Sequence, residues 1–324
     1  MTRHIRLHEL GGPEVLCWED AELPDPKAGE ARIRHTAVGL NFIDTYHRTG
    51  LYPLELPTGL GIEAAGVVEA VGAGVTHVAP GQRVVYGGGP PGAYSESRLI
   101  PADQLVVLPD EIADEQAAAG FIKGLTVQYL LRQTFEVQAG QTVLIHAAAG
   151  GVGLLACQWA AHLGATVIGT VGNDEKARLA ADHGCHHTIV YTRESFVDRV
   201  REITAGEGVP VVYDSVGKAT WDGSLDCLSP LGLMVSFGNA SGPVPPVEPG
   251  ILALKGSLFL TRPTLFSYAS TREKLEAMAA ELFGVVQSGA VKIPVNQRFA
   301  LGDVADAHRA LEARRTTGST VLIP

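Results

Sequence analysis

The chain has 324 residues, with a hydrophobic share of 46% and a charged share of 19%. That is length for two domains at roughly 150 residues each and ample apolar material for their cores. A net charge of −10 argues against a general binder of nucleic acid or of an anionic membrane, because both would be repelled at long range.

No apolar run in the sequence is long enough to span a bilayer. Residues 1–7 alternate polar and apolar like a first strand and lack the apolar core of a signal peptide. Short alternating segments follow at 31–38, 65–71 and 82–86, punctuated by turn signals such as Gly11-Gly12-Pro13 and Pro80-Gly81. This texture, up to about residue 109, predicts a small β-barrel. From 125 to 262 the texture changes. Apolar, β-branched runs at 142–146, 166–171, 188–191, 209–213, 232–237 and 257–260 alternate with helical stretches such as 154–163 and 175–183. Such runs with crossover helices predict a parallel sheet covered on both faces. Helices over 271–287 and 302–313 and a last strand at 319–323 are expected to return to the barrel. The expected domains are therefore 1–124 with 263–324, and 125–262 inserted between them. The cysteines, Cys17, Cys157, Cys185 and Cys227, form no close pair in sequence; they read as reduced and mostly buried, in a cytoplasmic protein.

The strand at 142–146 runs into Ala147-Ala148-Ala149-Gly150-Gly151-Val152-Gly153, and a helix is expected from Leu154. Small residues let a backbone approach a pyrophosphate, and a helix N-terminus offers N–H donors and partial positive charge. A glycine turn alone is a weak signal. Its place between strand and helix makes it a variant of the dinucleotide fingerprint. An NAD site usually ends its second strand with a carboxylate for the ribose hydroxyls. Here that strand ends Thr170-Val171-Gly172-Asn173. Asn173, Asp174 and Glu175 suit a helix cap and first turn. Lys176 opposes the helix dipole unless a 2′-phosphate lies over that end; a solvated surface lysine is the other reading. Tyr191, ending the third strand, has a hydroxyl for the same phosphate or serves packing. These features point to NADPH.

At this point the sequence resembles the zeta-crystallin-like quinone oxidoreductases, a zinc-independent branch of the medium-chain dehydrogenase/reductases. The signature covers Gly140 to Leu144, Ala148 to Gly153 and Gln158, and departs at Ala161, where a basic residue is usual. Further matches include residues 41–46, 59–66, 123–126, 212–217, 236–239 and 261–263, so the resemblance runs along essentially the whole chain. It implies a GroES-like β-barrel domain plus a Rossmann domain with a doubly wound parallel sheet. Zinc-dependent relatives carry Gly-His-Glu where this chain has Gly61-Ile62-Glu63, and no cysteine lies between Cys17 and Cys157. Zinc needs three or four N, S or O ligands, so no metal is expected, and Glu63 is expected to be a structural hydrogen-bonding or salt-bridging residue.

The resemblance implies NADPH-dependent reduction of a quinone or another planar electrophilic acceptor, by hydride transfer without a metal. It places Asn41, Tyr46 and Tyr52 on the substrate side, with Asn41 also toward the cofactor. It implies cofactor contacts at Thr126, Gly150, Gly151, Val152, Gly153, Lys176, Tyr191, Ser215, Phe237, Gly238, Asn239, Phe259, Leu260, Thr261 and Gly318. His47 reads as a surface histidine. Relatives also suggest a homodimer paired through the edge strand at 257–260. A second enzyme reading is reduction of an activated C=C bond in an enal or enone. A reading of another class is a non-catalytic NADPH-binding protein, crystallin-like or RNA-binding, which the acidic balance disfavours.

Overall fold

In the computed structural model, which describes residues 1–324, the alternating segments of the N-terminal third become antiparallel ladders. β1 (Thr2–Leu7), β2 (Leu16–Ala21), β3 (Glu30–Leu40), β4 (Thr58–Gly59), β5 (Glu63–Val71), β6 (Arg83–Gly87), β7 (Ser97–Pro101) and β8 (Val106–Val107) follow in order, with α1 (Phe42–Thr49) after β3 and α2 (Asp114–Tyr129) after β8. One ladder runs β2-β1-β4. The other runs from Val295–Ala300 through Ser319–Ile323 to β3, β5, β6 and β8, with β7 branching from β3. β3 changes partners along its length: β7 lies along Glu30 to Arg34, and the last strand along Val38 to Leu40. Two register shifts against β5 lie along it, one at Arg32/Ile33 within the stretch paired with β7 and one at His35/Ala37 between the two partners. No pairing joins β8 to Val295–Ala300. The expected barrel is therefore not a closed ring of strands. Ile5, Ile33, Leu60, Ile100 and Leu322 lie among the buried side chains between these ladders.

The apolar runs of the middle third become β9 (Thr142–Ile145), β10 (Thr166–Val171), β11 (His187–Val190), β12 (Val209–Asp214), β13 (Leu228–Ser236) and β14 (Phe259–Thr261). They form a parallel six-stranded sheet ordered β11-β10-β9-β12-β13-β14. The crossovers include α3 (Gly151–His162), α4 (Asp174–Ala181), α5 (Phe196–Ile203) and α6 (Trp221–Asp226). Val167 to Val171 are all buried, which is why β10 shows no alternation in sequence. The strand order reverses between β9 and β12, and open α/β sheets bind ligands beyond the carboxyl ends of the strands at such a point. Several elements start elsewhere than expected, β13 among them, at Leu228 rather than Gly232. α3 begins at Gly151 rather than Leu154, because the glycines take helical geometry behind an extended Gly150. β14 begins at Phe259 rather than Ser257, whose φ of 56° breaks the strand.

The chain divides into two compact units, Met1–Lys123 with Thr271–Phe283 and Ile293–Pro324, and Gly124–Ser270 with Gly284–Lys292. No helix is long and apolar enough to cross a membrane.

The first unit buries an ordered polar chain beneath α1. Arg48, fully buried, donates to Gly11 O, to His308 Nδ1 (2.9 Å) and to Glu312 (2.6 Å). Burial, with Arg48 beside it, holds the His308 pKa down at about 3, so the ring is neutral. With Nδ1 accepting, Nε2–H donates to Tyr94 Oη, which donates to Asp44 Oδ2 at 2.8 Å. Asp44 Oδ2 also accepts from Asn41 N, whereas Oδ1 is buried without a partner. Burial therefore raises the Asp44 pKa from 3.8 to about 7; its hydrogen bonds and Lys123 oppose the shift and Glu63 adds to it. In this interval the folded chain holds a proton that the unfolded chain has lost, so stability falls as pH rises through it. Asp44→Asn keeps the acceptor and removes the charge. Thermal midpoints at about pH 5 and pH 7 should then show the parent losing on the order of 1–4 kcal/mol that the variant keeps. Superposable pH profiles would mean that Asp44 is ionised throughout.

Candidate functional site

The glycine turn is tied to the strands on both sides of it. His146 N donates to Tyr213 O at 3.0 Å, and Ala148 N to Thr170 O at 3.0 Å. Between them Ala147 is held at φ 54°, a left-handed conformation that few side chains tolerate. Its carbonyl accepts from Gly150 N at 2.9 Å. A Cβ on Gly153 would come within 2.3 Å of Ala147 O and 2.7 Å of Ala148, so only glycine lets α3 start this close to the turn. The first N–H groups of a helix have no partner within it. Those of Gly151, Val152 and Gly153 therefore form a cradle for an anion, aided by the helix dipole.

At the tip of β10, Asn173 caps α4 by accepting from Lys176 N at 2.9 Å. Asp174 lies in the first turn, but both its oxygens are engaged by Arg193, at 2.5 and 2.8 Å. Arg193 holds that carboxyl below the usual range. Tyr191 is exposed, and its hydroxyl lies 3.2 Å from where a Cβ on Gly172 would stand. The chemistry of this end is thus one lysine, one phenol, a paired carboxylate and a glycine at the strand tip. A phosphate fits that set.

The loops after β12 and β13 touch. Gly238 approaches Ser215 so closely that a Cβ would meet Ser215 O at 2.5 Å. Phe237 N donates to Asp214 O, and Ala240 N to Ser215 O. Asn239 and Phe237 thus sit beside Ser215. Thr261 pairs with Val235 across β13–β14, while Phe259 and Leu260 are exposed. Thr126 hydrogen-bonds Tyr129, whose ring stacks on Tyr268 at 4.5 Å and 9°.

In the first unit, Asn41 is the N-cap position of α1 and is buried; its Nδ2 donates to Glu63 Oε2 at 2.7 Å. Glu63 also accepts from Ile122 N at 2.6 Å and pairs with Lys123 Nζ at 3.5 Å, so its expected structural role is seen. Burial raises its pKa, and Lys123 opposes the shift. A Cβ on Gly39 would meet Glu63 Oε2 at 2.3 Å, so that glycine admits the carboxylate. Tyr46 and Tyr52 meet edge to face at 5.2 Å. His47 is not on the surface: it is half-buried against Tyr52, its Nδ1 has no partner, and burial lowers its pKa. Gly318 has φ 54° beside Asn296, just before the last strand.

Ile62 is buried, and no three His, Cys, Asp or Glu side chains are grouped to hold a metal ion. All four cysteines are free, Cys17 exposed and the others buried. Cys157 and Cys185, distant in sequence, do meet: the contact and burial push the Cys157 thiol well up. Sequence reasoning gave no role to Lys123, Tyr129, Arg193 or His146. Lys123 opens the matched segment 123–126, and Tyr129 follows it by three residues. Arg193 follows Tyr191 by two positions, which could have drawn attention to it.

Two family descriptions match the chain, "Alcohol dehydrogenase GroES-like domain" over residues 27–110 and "Zinc-binding dehydrogenase" over residues 151–283. A quinone oxidoreductase of Pseudomonas aeruginosa is 60% identical over all of both chains. A 2-haloacrylate reductase of a Burkholderia species is 48% identical over 98% of each. The solved structure of Escherichia coli quinone oxidoreductase complexed with NADPH superposes with a TM-score of 0.98, at 53% identity over all of both chains. The GroES-like and Rossmann-type pair of domains, with identity of this degree over the whole length, means that the chain belongs to the quinone oxidoreductase family of the medium-chain dehydrogenase/reductases.

Proposed function

We propose that the chain is an NADPH-dependent quinone reductase that uses no metal. The observation that carries this reading is the anion cradle at Gly150 to Gly153 together with a strand tip where Lys176 and Tyr191 stand beside a carboxylate already held by Arg193. The N–H groups of Gly151 and Val152 bind the pyrophosphate, and Lys176 and Tyr191 bind the 2′-phosphate. Ser215, Phe237, Gly238 and Asn239 hold the nicotinamide and its ribose, with Thr126 and residues 259–261 at the carboxamide end, and Gly318 belongs to the segment that covers the cofactor. NADPH, when bound, supplies a hydride equivalent.

Asn41 and the Tyr46–Tyr52 pair serve the acceptor. The tyrosines offer a flat apolar surface for a planar ring and a phenol donor for its oxygen. Glu63 holds the Asn41 amide, so it is presented in one orientation. A quinone is already electrophilic, so positioning and exclusion of water are what the protein must add. The 2-haloacrylate reductase relative, by its name, acts on an activated alkene; it favours C=C reduction as the second reading. Free, buried thiols support a reducing cytoplasmic setting. The exposed edge strand β14, with Phe259 and Leu260 outward, supports a homodimer joined there.

Steady-state oxidation of NADPH and of NADH against a panel of quinones and enones tests the reading. Lys176→Ala should lower kcat/KM for NADPH by about 10- to 100-fold and leave NADH nearly unchanged, because a charge-assisted bond to phosphate is lost. Equal use of the two cofactors by the parent would remove the 2′-phosphate assignment, and turnover of enones alone would move the acceptor to the second reading. Tyr52→Phe should lower kcat/KM for quinones by about tenfold through the missing phenol donor without altering the KM for NADPH. An unchanged quinone efficiency takes Tyr52 out of the acceptor site.

A further inference from the structure

Four buried polar side chains form a chain beneath the glycine turn. His146 directly precedes the turn, Thr170 lies in β10, Ser224 in α6, and Asp214 ends β12; each is at most 2% exposed. His146 Nδ1 lies 2.8 Å from Thr170 Oγ1, and Nε2 lies 2.9 Å from Ser224 Oγ. Ser224 Oγ donates to Asp214 Oδ2 at 2.8 Å. A carboxylate only accepts, so the single proton of Ser224 is committed to Asp214. Ser224 must then accept from His146, which fixes the Nε2–H tautomer. Nδ1 is left as an acceptor, and Thr170 donates to it. Burial lowers the His146 pKa against the opposing pull of Asp214, so the ring is neutral. The chain therefore runs in one direction, from Thr170 through His146 and Ser224 to Asp214. This is not a hydrolytic triad. The serine sits between acid and histidine, is fully buried, and meets the protonated Nε2 of His146 rather than its basic nitrogen.

The same carboxylate shapes the neighbouring loops. Asp214 Oδ1 accepts from Val216 N and Gly217 N at 2.7 and 3.0 Å, and Oδ2 also accepts from Thr220 Oγ1 at 2.7 Å. Its backbone carbonyl takes Phe237 N. One connected set of bonds thus spans the ends of β9, β10, β12 and β13. It includes His146, the residue next to Ala147, whose φ is left-handed where the cradle begins. Phe196 closes the remaining face of the imidazole, edge to face at 5.0 Å.

We propose that His146, oriented through Ser224 by Asp214, is a positioning residue for the pyrophosphate of the cofactor. It does not touch the ligand; it fixes where the N–H groups of Gly151 and Val152 point. The inference rests on the NADPH reading above.

The test compares two ligands, NADP⁺ and adenosine 2′-monophosphate, which carries the 2′-phosphate and no pyrophosphate. Dissociation constants are measured by calorimetry for the parent, His146→Leu, His146→Gln and Thr170→Val, with a thermal midpoint for each. His146→Leu should bind NADP⁺ about tenfold more weakly, while adenosine 2′-monophosphate changes by less than about twofold. Gln carries an acceptor oxygen and a donor NH2 group on a planar amide, and His146→Gln should recover most of that loss. Thr170→Val removes one hydroxyl donor, should show the same split to a smaller extent, and decides the matter alone should the leucine variant not fold. Proportional losses for both ligands, or lower midpoints with NADP⁺ affinity unchanged, overturn the positioning role and leave the cofactor reading standing. A parent that binds neither ligand sinks both.

Discussion

A carboxylate with no access to water must be surrounded by donors, because burial of an uncompensated charge costs far more than folding can spare. Asp214 is fully buried and meets this demand with four donors, two from backbone and two from hydroxyls. The rest of the sheet's carboxyl edge follows from that arrangement. Satisfying Oδ1 bends residues 215–217 back over the end of β12. Satisfying Oδ2 brings in α6, and through Ser224 and His146 it reaches the glycine turn. Networks of this kind respond poorly to the loss of one member, since the partners left behind are still buried. The four strand ends are therefore better regarded as one unit than as four loops.

The first unit solves a similar problem differently. Glu63 is fully buried, but here a cation, Lys123, shares the site at 3.5 Å. An isolated buried pair is a weak stabiliser, since desolvation offsets most of the attraction. The useful product is orientation. Glu63 takes one N–H of Asn41 on one oxygen and Ile122 N on the other. The Asn41 amide cannot flip without turning its oxygen toward the carboxylate, so its carbonyl end faces a known way. Gly39 makes room for this arrangement, and Ile62, next to Glu63, is buried.

What was legible in the sequence was set by local pattern. The strands at 166–171 and 319–323 have the expected limits because their runs are apolar, β-branched and cleanly bounded. Glycines carry no periodicity, so the pattern points to the first leucine and not to Gly151 as the start of α3. That the first unit's sheet stays open is not legible either: it depends on which strands pair, and pairing is a relation between distant segments. For the site, the glycine turn and the bare tip at Gly172-Asn173 were visible. The Asp174–Arg193 pair, the Cys157–Cys185 contact and the Asp214–Ser224–His146 chain were not, because each joins residues separated by a crossover. His47 was misjudged because a polar neighbour of Tyr46 looks like surface until Tyr52 folds back over it.

Selection of a 2′-phosphate, on the proposed reading, depends on a balance at one strand tip. Asp174 would repel a phosphate were it free, and Arg193 offsets its charge. Both residues are exposed, so solvent screens this pair and it cannot be the main source of discrimination. That leaves Lys176, Tyr191 and the strand tip itself. An acidic residue at Gly172 would be wrong for charge. A side chain there would also crowd the tip, since its Cβ would stand 3.2 Å from the Tyr191 hydroxyl and that exposed phenol would have to shift by a few tenths of an ångström. The absence of a carboxylate and the nearness of the phenol thus act at the same tip. Gly172 leaves the tip free of side chain, and Tyr191 stands beside the space so left.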